Sequence, residues 1–435
     1  MSIPLDRLYS LIENITINTN GECAVIYHFW PNGSKNINDL TFRPTYTSFF
    51  DRTTKPIVWC HDQEPLQYEF YQENLRVCQN TFVDIQRSLG IDIPPTNLNY
   101  FKNIFKKNIL VHSEKRSLNV DKYSNDNELI PVYYWSHALI ARDWFRYGEH
   151  ENFEKDANQK LFLIYNRAWT GTREYRLKFS DLLIENGLVD HCKTFCNPTE
   201  NREHYQTHRF KNPIWRPAHI LENHFPPSLA EACASADFIT EDYRSTEIEI
   251  VLETLFDDQR LHLTEKSLRP IACKQPFILA TTHGSLQYLR EYGFQTYDSV
   301  WDETYDTIQD PYQRMQAIIH LMLEITARSP NQRCKDARRI QHIADYNHKH
   351  FFSKDFADMV AGELRTNMKK AFDQIKQDPG FEAWQDRWKC FLQFPQVQDF
   401  LDTNKNSALP TRQQYEQVLE FIGQHPKTIA NANKI

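Results

Sequence analysis

The sequence predicts an α/β protein: two strand–helix domains facing a cleft, followed by a helical C-terminal extension. Three observations predict this. Short, continuous apolar runs bounded by polar loops recur up to about residue 300, the pattern of parallel strands buried on both faces. Between them lie segments with apolar residues every three or four positions, as helices require. From about Pro311 the strand signal stops and helical spacing continues alone. At 435 residues the chain also exceeds one ordinary domain.

Taken in order, Cys23–Phe29, Pro56–Cys60, Asn108–His112 and Ile130–Tyr134 read as strands of a first domain, residues 1–150, with helical spacing between them, as from Leu75 to Leu89. The polar stretch 149–160 reads as a linker. A second domain, 151–310, opens with a strand at Lys160–Tyr165 and a helix from Thr172 to Asn186. Ala236–Thr240 and Ile248–Leu252 read as further strands. After Leu263 a helix starts, because Thr264 can cap it and Glu265 suits its first turn. Gln275–Ala280 is the next strand, and Ser285–Tyr292 a helix stopped by Gly293. The extension, 311–435, packs on the domains and contains helices at Tyr312–Thr326 and Asn331–Phe352.

Composition narrows the function classes. The net charge is -7, whereas non-specific grip on nucleic acid draws its affinity from basic excess. Basic segments at Lys102–Lys107 and Lys335–Arg339 keep a DNA partner open locally. With 11 glycines against 21 prolines, a Gly-rich phosphate loop is not the expected ligand device. The nine cysteines lack framework spacing and point to reduced thiols. Cys192 and Cys196 flank no second ligand pair, so zinc is not expected there. No run approaches the ~18 apolar residues of a membrane span. The N-terminus lacks a basic segment followed by an apolar run, and a cytoplasmic location is expected.

Three clusters can carry chemistry. Leu263-Thr264-Glu265-Lys266 follows Glu253-Thr254 and opens a helix. An ammonium and free helix N–H groups stabilise phosphates there, and a carboxylate accepts from ribose hydroxyls. The alternative is an ordinary capped helix with a solvated Glu–Lys pair. Tyr165–Arg176 follows the first strand of the second half and offers Asn166, Arg167, Arg173 and Arg176, whose guanidinium forks suit a diphosphate. Val58–Leu66 runs from a strand into His61, Asp62 and Glu64 before Pro65. A carboxylate at such a strand end suits a general base for an acceptor hydroxyl. His28 and His137, also past strand ends, are further acceptor-side candidates. No metal constellation is expected, since the nearest acidic pair, Asp257-Asp258, lacks the one-residue gap of an Asp-x-Asp trio.

The stretch 249–294 resembles the C-terminal donor-binding domain of fucosyltransferase-like glycosyltransferases, where a Thr-Glu-Lys motif opens a helix before a proline-containing strand and a glycine-bearing turn. The likeness is close over about a tenth of the chain and loose over 160–300. It implies a GT-B architecture of two Rossmann-like domains, with Glu265 on the donor ribose and Lys266 on the diphosphate. It further implies a diphosphate-binding arginine, best matched by Arg167 and Arg173, and an acidic residue in an N-terminal loop, Glu64 first and Asp62 second. His262 stands where the family commonly has tyrosine, which leaves the donor base and sugar open. The expected activity is metal-independent, inverting transfer from a nucleoside-diphosphate sugar to a glycan or other hydroxyl acceptor, with no separate cofactor. The alternatives are glycosylation of hydroxymethylated pyrimidines in DNA and a non-catalytic module that binds nucleotide or glycan.

Overall fold

The computed structural model describes residues 24–27, 57–61, 108–127, 129–156, 159–225 and 236–377, together with isolated positions elsewhere. The chain folds into two compact units. Among described residues, one unit comprises 114–117 and 135–361, and the other takes the described parts of 6–113, 118–134 and the residues from 362 onward.

The second of these units contains β1 (Ala24–Tyr27), β2 (Ile57–His61), β3 (Asn108–His112), α1 (Leu118–Asn127) and β4 (Leu129–Tyr133). Its strands form a parallel sheet in the order β1-β2-β3-β4. Val58, Cys60, Ile109, Leu110, Val111 and Val132 are fully enclosed, which is why the strands read as continuous apolar runs. Pro131 lies in β4, an end strand of the order. An edge accommodates a residue that cannot donate to a ladder.

The other unit holds α2 (Ser136–Trp144), β5 (Lys160–Asn166), α3 (Tyr175–Glu185), β6 (Cys192–Cys196) and the short hairpin of β7 (Thr199–Glu200) and β8 (Glu203–His204). It continues with α4 (Thr240–Arg244), β9 (Thr246–Leu252), α5 (Glu265–Ala272), β10 (Phe277–Ala280) and α6 (Ser285–Glu291). The helices α7 (Pro311–Thr326), α8 (Pro330–Phe352) and the start of α9 (Lys354–Gln377) complete it. Its main sheet is parallel in the order β10-β9-β5-β6. The chain therefore winds outward from β5 to β6, then returns to the other side of β5 and winds outward through β9 and β10. This reversal creates a topological switch point between β5 and β9.

Two local differences from the sequence expectation have simple causes. The strand expected at Ala236–Thr240 is a loop entering α4. Asp237 Oδ1 accepts from the Phe238 N–H at 2.8 Å, and Glu241 and Asp242 occupy the first helical turn, where carboxylates oppose the helix dipole favourably. In contrast, β6 carries a half-polar Cys-Lys-Thr-Phe-Cys run with no apolar signature. Burial pushes the Cys192 and Cys196 thiols up to about 12, so both stay protonated near neutral pH. The polar stretch 149–160 packs into this unit: Phe153 is buried with Leu163, Tyr243 and Cys273.

The two long helices start where capping chemistry places them. Asp310 accepts from Gln313 N–H at 2.7 Å ahead of Pro311, and Ser329 accepts from Gln332 N–H at 3.3 Å ahead of Pro330. Trp135 is completely buried against Tyr288, Tyr292, Phe294 and Phe356, and its indole N–H donates to Leu263 O at 2.9 Å. That bond fixes the chain immediately before Thr264. Among the described residues no helix is long and apolar enough to cross a membrane.

Candidate functional site

In open α/β sheets, ligands bind outside the carboxyl ends of the strands at the switch point. Here that position lies at the ends of β5 and β9, marked by Asn166 and by Leu252-Glu253. The loop after β9 runs from Glu253 to Leu263 and delivers the chain to α5.

Glu253 organises this corner. It is fully buried, and its carboxylate accepts four hydrogen bonds. Oε1 receives Thr264 N–H at 2.9 Å and Ser267 Oγ–H at 2.7 Å. Oε2 receives Thr264 Oγ–H at 2.7 Å and Thr254 N–H at 2.9 Å. The end of β9 is thereby tied to the start of α5. Thr264 is the N-cap of that helix, its Oγ1 accepting from Lys266 N–H at 3.4 Å. Glu253 is thus engaged on every side by protein donors, and its role is to position the cap.

Lys266 and Glu265 sit directly above. Lys266 Nζ lies 2.7 Å from Glu265 Oε1 and 3.3 Å from Thr264 Oγ1, and the lysine side chain keeps 22% exposure. Glu265 is 1% exposed and faces inward. Its second oxygen lies 3.3 Å from Nδ1 of His137 on α2. Burial alone would raise the Glu265 carboxyl, but the Lys266 ammonium and the His137 ring hold it well below the usual carboxylate range. His262, buried, meets His137 edge-on with ring centroids 5.2 Å apart. His137, expected on the acceptor side, therefore belongs to the same cluster as Glu265, Lys266 and His262.

The basic residues after β5 divide by exposure. Arg176 is buried, donating to Ala168 O at 2.6 Å, Leu252 O at 2.7 Å and Glu253 O at 3.1 Å. It stitches the ends of β5 and β9 together. Asn166 is also buried, its amide donating to Arg176 O and Ser180 Oγ, both at 2.9 Å. Arg167 is half-buried over the rings of Tyr165 and Phe195, at 5.1 and 5.6 Å. Arg173 keeps 31% side-chain exposure and donates to Thr170 O at 3.3 Å. Arg167, Arg173 and Lys266 are thus the expected donor cations that retain exposure.

Other residues at this edge carry no signal in the sequence. Tyr175 O–H donates to Glu253 O at 2.6 Å and Ala280 O at 3.2 Å, joining β9 and β10. Glu200 accepts from the Thr170 N–H at 2.7 Å and holds the loop after β5. Arg116, exposed and left-handed at φ 54°, donates to His283 Nε2 at 3.0 Å and His283 O at 2.5 Å in the loop after β10. These pairings join residues at least 30 positions apart, beyond the reach of local motifs. His28, Asp62 and Glu64 lie outside the described residues. His61 ends β2 in register with His112 of β3.

Asp181, Glu185 and His219 bring metal-ligand atoms within 4.8 Å of one another. Lys178 Nζ already sits 2.5 Å from Asp181 and 3.1 Å from Glu185, while His219 Nδ1 is 2.8 Å from Asp181. Burial would raise the Asp181 carboxyl, yet Lys178, the Ala218 and His219 backbone and the His219 ring bring it from 3.8 to about 2. Because the folded value is depressed, this stabilisation is present above pH 3.8 and is lost as pH falls through about 2. Asp181→Asn is expected to flatten the acid loss of stability in that window by about 1–2 kcal/mol, given solvent screening of its partners. Urea unfolding from pH 2 to pH 5 checks this; an unchanged slope would contradict it.

Comparison with known proteins returned no matching family model, curated protein or solved structure.

Proposed function

We propose that the chain is a metal-independent glycosyltransferase of GT-B type, resembling the fucosyltransferase-like enzymes. In this reading the unit with β5–β10 binds a nucleoside-diphosphate sugar, and the unit with β1–β4 serves the acceptor. The observation that carries the reading is the placement of Thr264-Glu265-Lys266 at a helix start that is tied by Glu253 to the switch-point end of β9. A diphosphate there meets the Lys266 ammonium and the positive end of α5. Arg167 and Arg173 add cations from the loop after β5.

The proposed reaction is a single in-line displacement. An acceptor oxygen forms a bond to the anomeric carbon as the bond from that carbon to the β-phosphate oxygen breaks. The acceptor proton passes to Glu64, or to Asp62, acting as base. The bonding pair leaves on the diphosphate, whose developing charge Lys266 and the arginines stabilise. Glu265 holds the lysine from beneath, and its carboxylate meets the ribose when the ammonium turns toward the phosphates. Glu253, Asn166 and Arg176 position the groups that touch the donor.

Assay of nucleoside diphosphate released from a panel of nucleotide sugars tests this. Release from one donor is expected, and loss of it in Glu64→Gln and in Lys266→Ala. Full release in both variants would remove the site assignment. Binding of a donor without any turnover would instead make the chain a non-catalytic module.

A further inference from the structure

We propose that a second, phosphate-bearing small molecule binds in a pocket between α8 and the 294–299 loop. The pocket has a volume of about 650 Å³, within the range of small-ligand sites, roughly 300–1,000 Å³. It is separate from the switch point: α6 begins beside the C-terminal edge of the sheet, and Arg290, near its other end, lines the pocket.

Arg338, Arg339 and His342 line one wall from a single face of α8, since residues four apart on a helix are neighbours. Gln295 and Ser299 line the facing wall. The charges there are unequally engaged. Arg290 is paired with Glu303 at 2.6 Å and lies 3.8 Å from Asp298. Arg339 gives one N–H to Ser299 O at 3.1 Å. Arg338 and His342 have no hydrogen-bond or ionic partner among the described residues, and neither do the Gln295 amide and the Ser299 hydroxyl. The pocket therefore presents a guanidinium fork, an imidazole, an amide and a hydroxyl to whatever enters, with the Asp298 carboxylate also on its lining, 3.8 Å from Arg290.

The walls are built independently of any ligand. Asn347 on α8 pins Gln295 through both backbone groups, accepting from its N–H and donating to its O, each at 2.8 Å. Arg328 donates to Val300 O at 3.0 Å, and Tyr297 N–H donates to Glu303 at 2.7 Å. The loop is thus held at several points, which lowers the ordering cost of binding. Phe294 and Ile343 give an apolar floor. A planar guanidinium with unpartnered donors matches phosphate oxygens bidentately. The limited volume and the net charge of -7 favour a small phosphate ester over a polyanionic strand. This assigns a role to the basic segment Lys335–Arg339, and it stands whether or not the chain is a glycosyltransferase.

Calorimetric titration of the full chain with inorganic pyrophosphate tests the assignment, performed in Lys266→Ala so that the lysine of the switch-point cluster does not contribute. Saturable binding is expected in that background. Adding Arg338→Ala and His342→Ala is expected to weaken it by about tenfold or more. Ser299→Glu, which brings a second carboxylate beside Asp298 to the facing wall, is expected to weaken it similarly. Absence of binding in Lys266→Ala, or equal affinity with the pocket substitutions added, would overturn the proposal. So would a short single-stranded oligonucleotide that binds through the same arginines where pyrophosphate does not.

Discussion

Lys266→Ala is expected to lower kcat for glycosyl transfer by about 10²- to 10³-fold, the usual loss when one pre-positioned charge facing a developing anion is removed. The loss should fall on kcat more than on KM, because the leaving diphosphate gains charge only as the bond to the sugar breaks. Stability should fall as well, because Glu265 is a buried carboxylate that would keep only the His137 ring beside it. Breaking a fully buried pair costs roughly 3–5 kcal/mol, and less is expected here because the ammonium side keeps 22% exposure. Steady-state kinetics alongside thermal unfolding separates the two effects. A variant within a few-fold of wild-type kcat would contradict the role given to Lys266.

Glu253→Ala has the opposite signature, a loss of fold before a loss of chemistry. Four donors converge on this fully buried carboxylate: two backbone N–H groups and two hydroxyls. Removing it leaves all four without their acceptor, at about 1–3 kcal/mol for each that stays buried. Local relaxation makes the sum smaller than four such terms, and about 3–5 kcal/mol is expected, with Tm lower by roughly 10 °C. Glu253→Gln should fall between, since its amide nitrogen faces donors on one side only. An unchanged Tm in the alanine variant would show that the tie between β9 and α5 does not hold the corner.

Much of the α/β framework was legible because its strands are buried on both faces. Asn108–His112 has the uninterrupted apolar centre Ile109-Leu110-Val111, and the structure has β3 over the same residues. The start of α5 was legible from Thr264 and Glu265 for the same local reason, a cap and a first-turn carboxylate. The strand β6 was not, because its middle residues, Lys193, Thr194 and Phe195, are half-exposed and two of them are polar. The site divides along the same line. That Arg167, Arg173 and Arg176 follow β5 is visible in the sequence. That Arg176 turns inward to three carbonyls while Arg173 stays partly exposed depends on the end of β9, some 76 residues away. His137 likewise meets Glu265 only through tertiary packing of α2 against α5.

The most direct measurement is a crystal structure of the chain with the nucleoside diphosphate that stabilises it most against heating. The diphosphate is expected at the ends of β5 and β9, with a phosphate oxygen about 3 Å from Lys266 Nζ and beside the first turn of α5. A nucleotide bound away from these strand ends, with Lys266 still resting on Glu265 and Thr264, would contradict it.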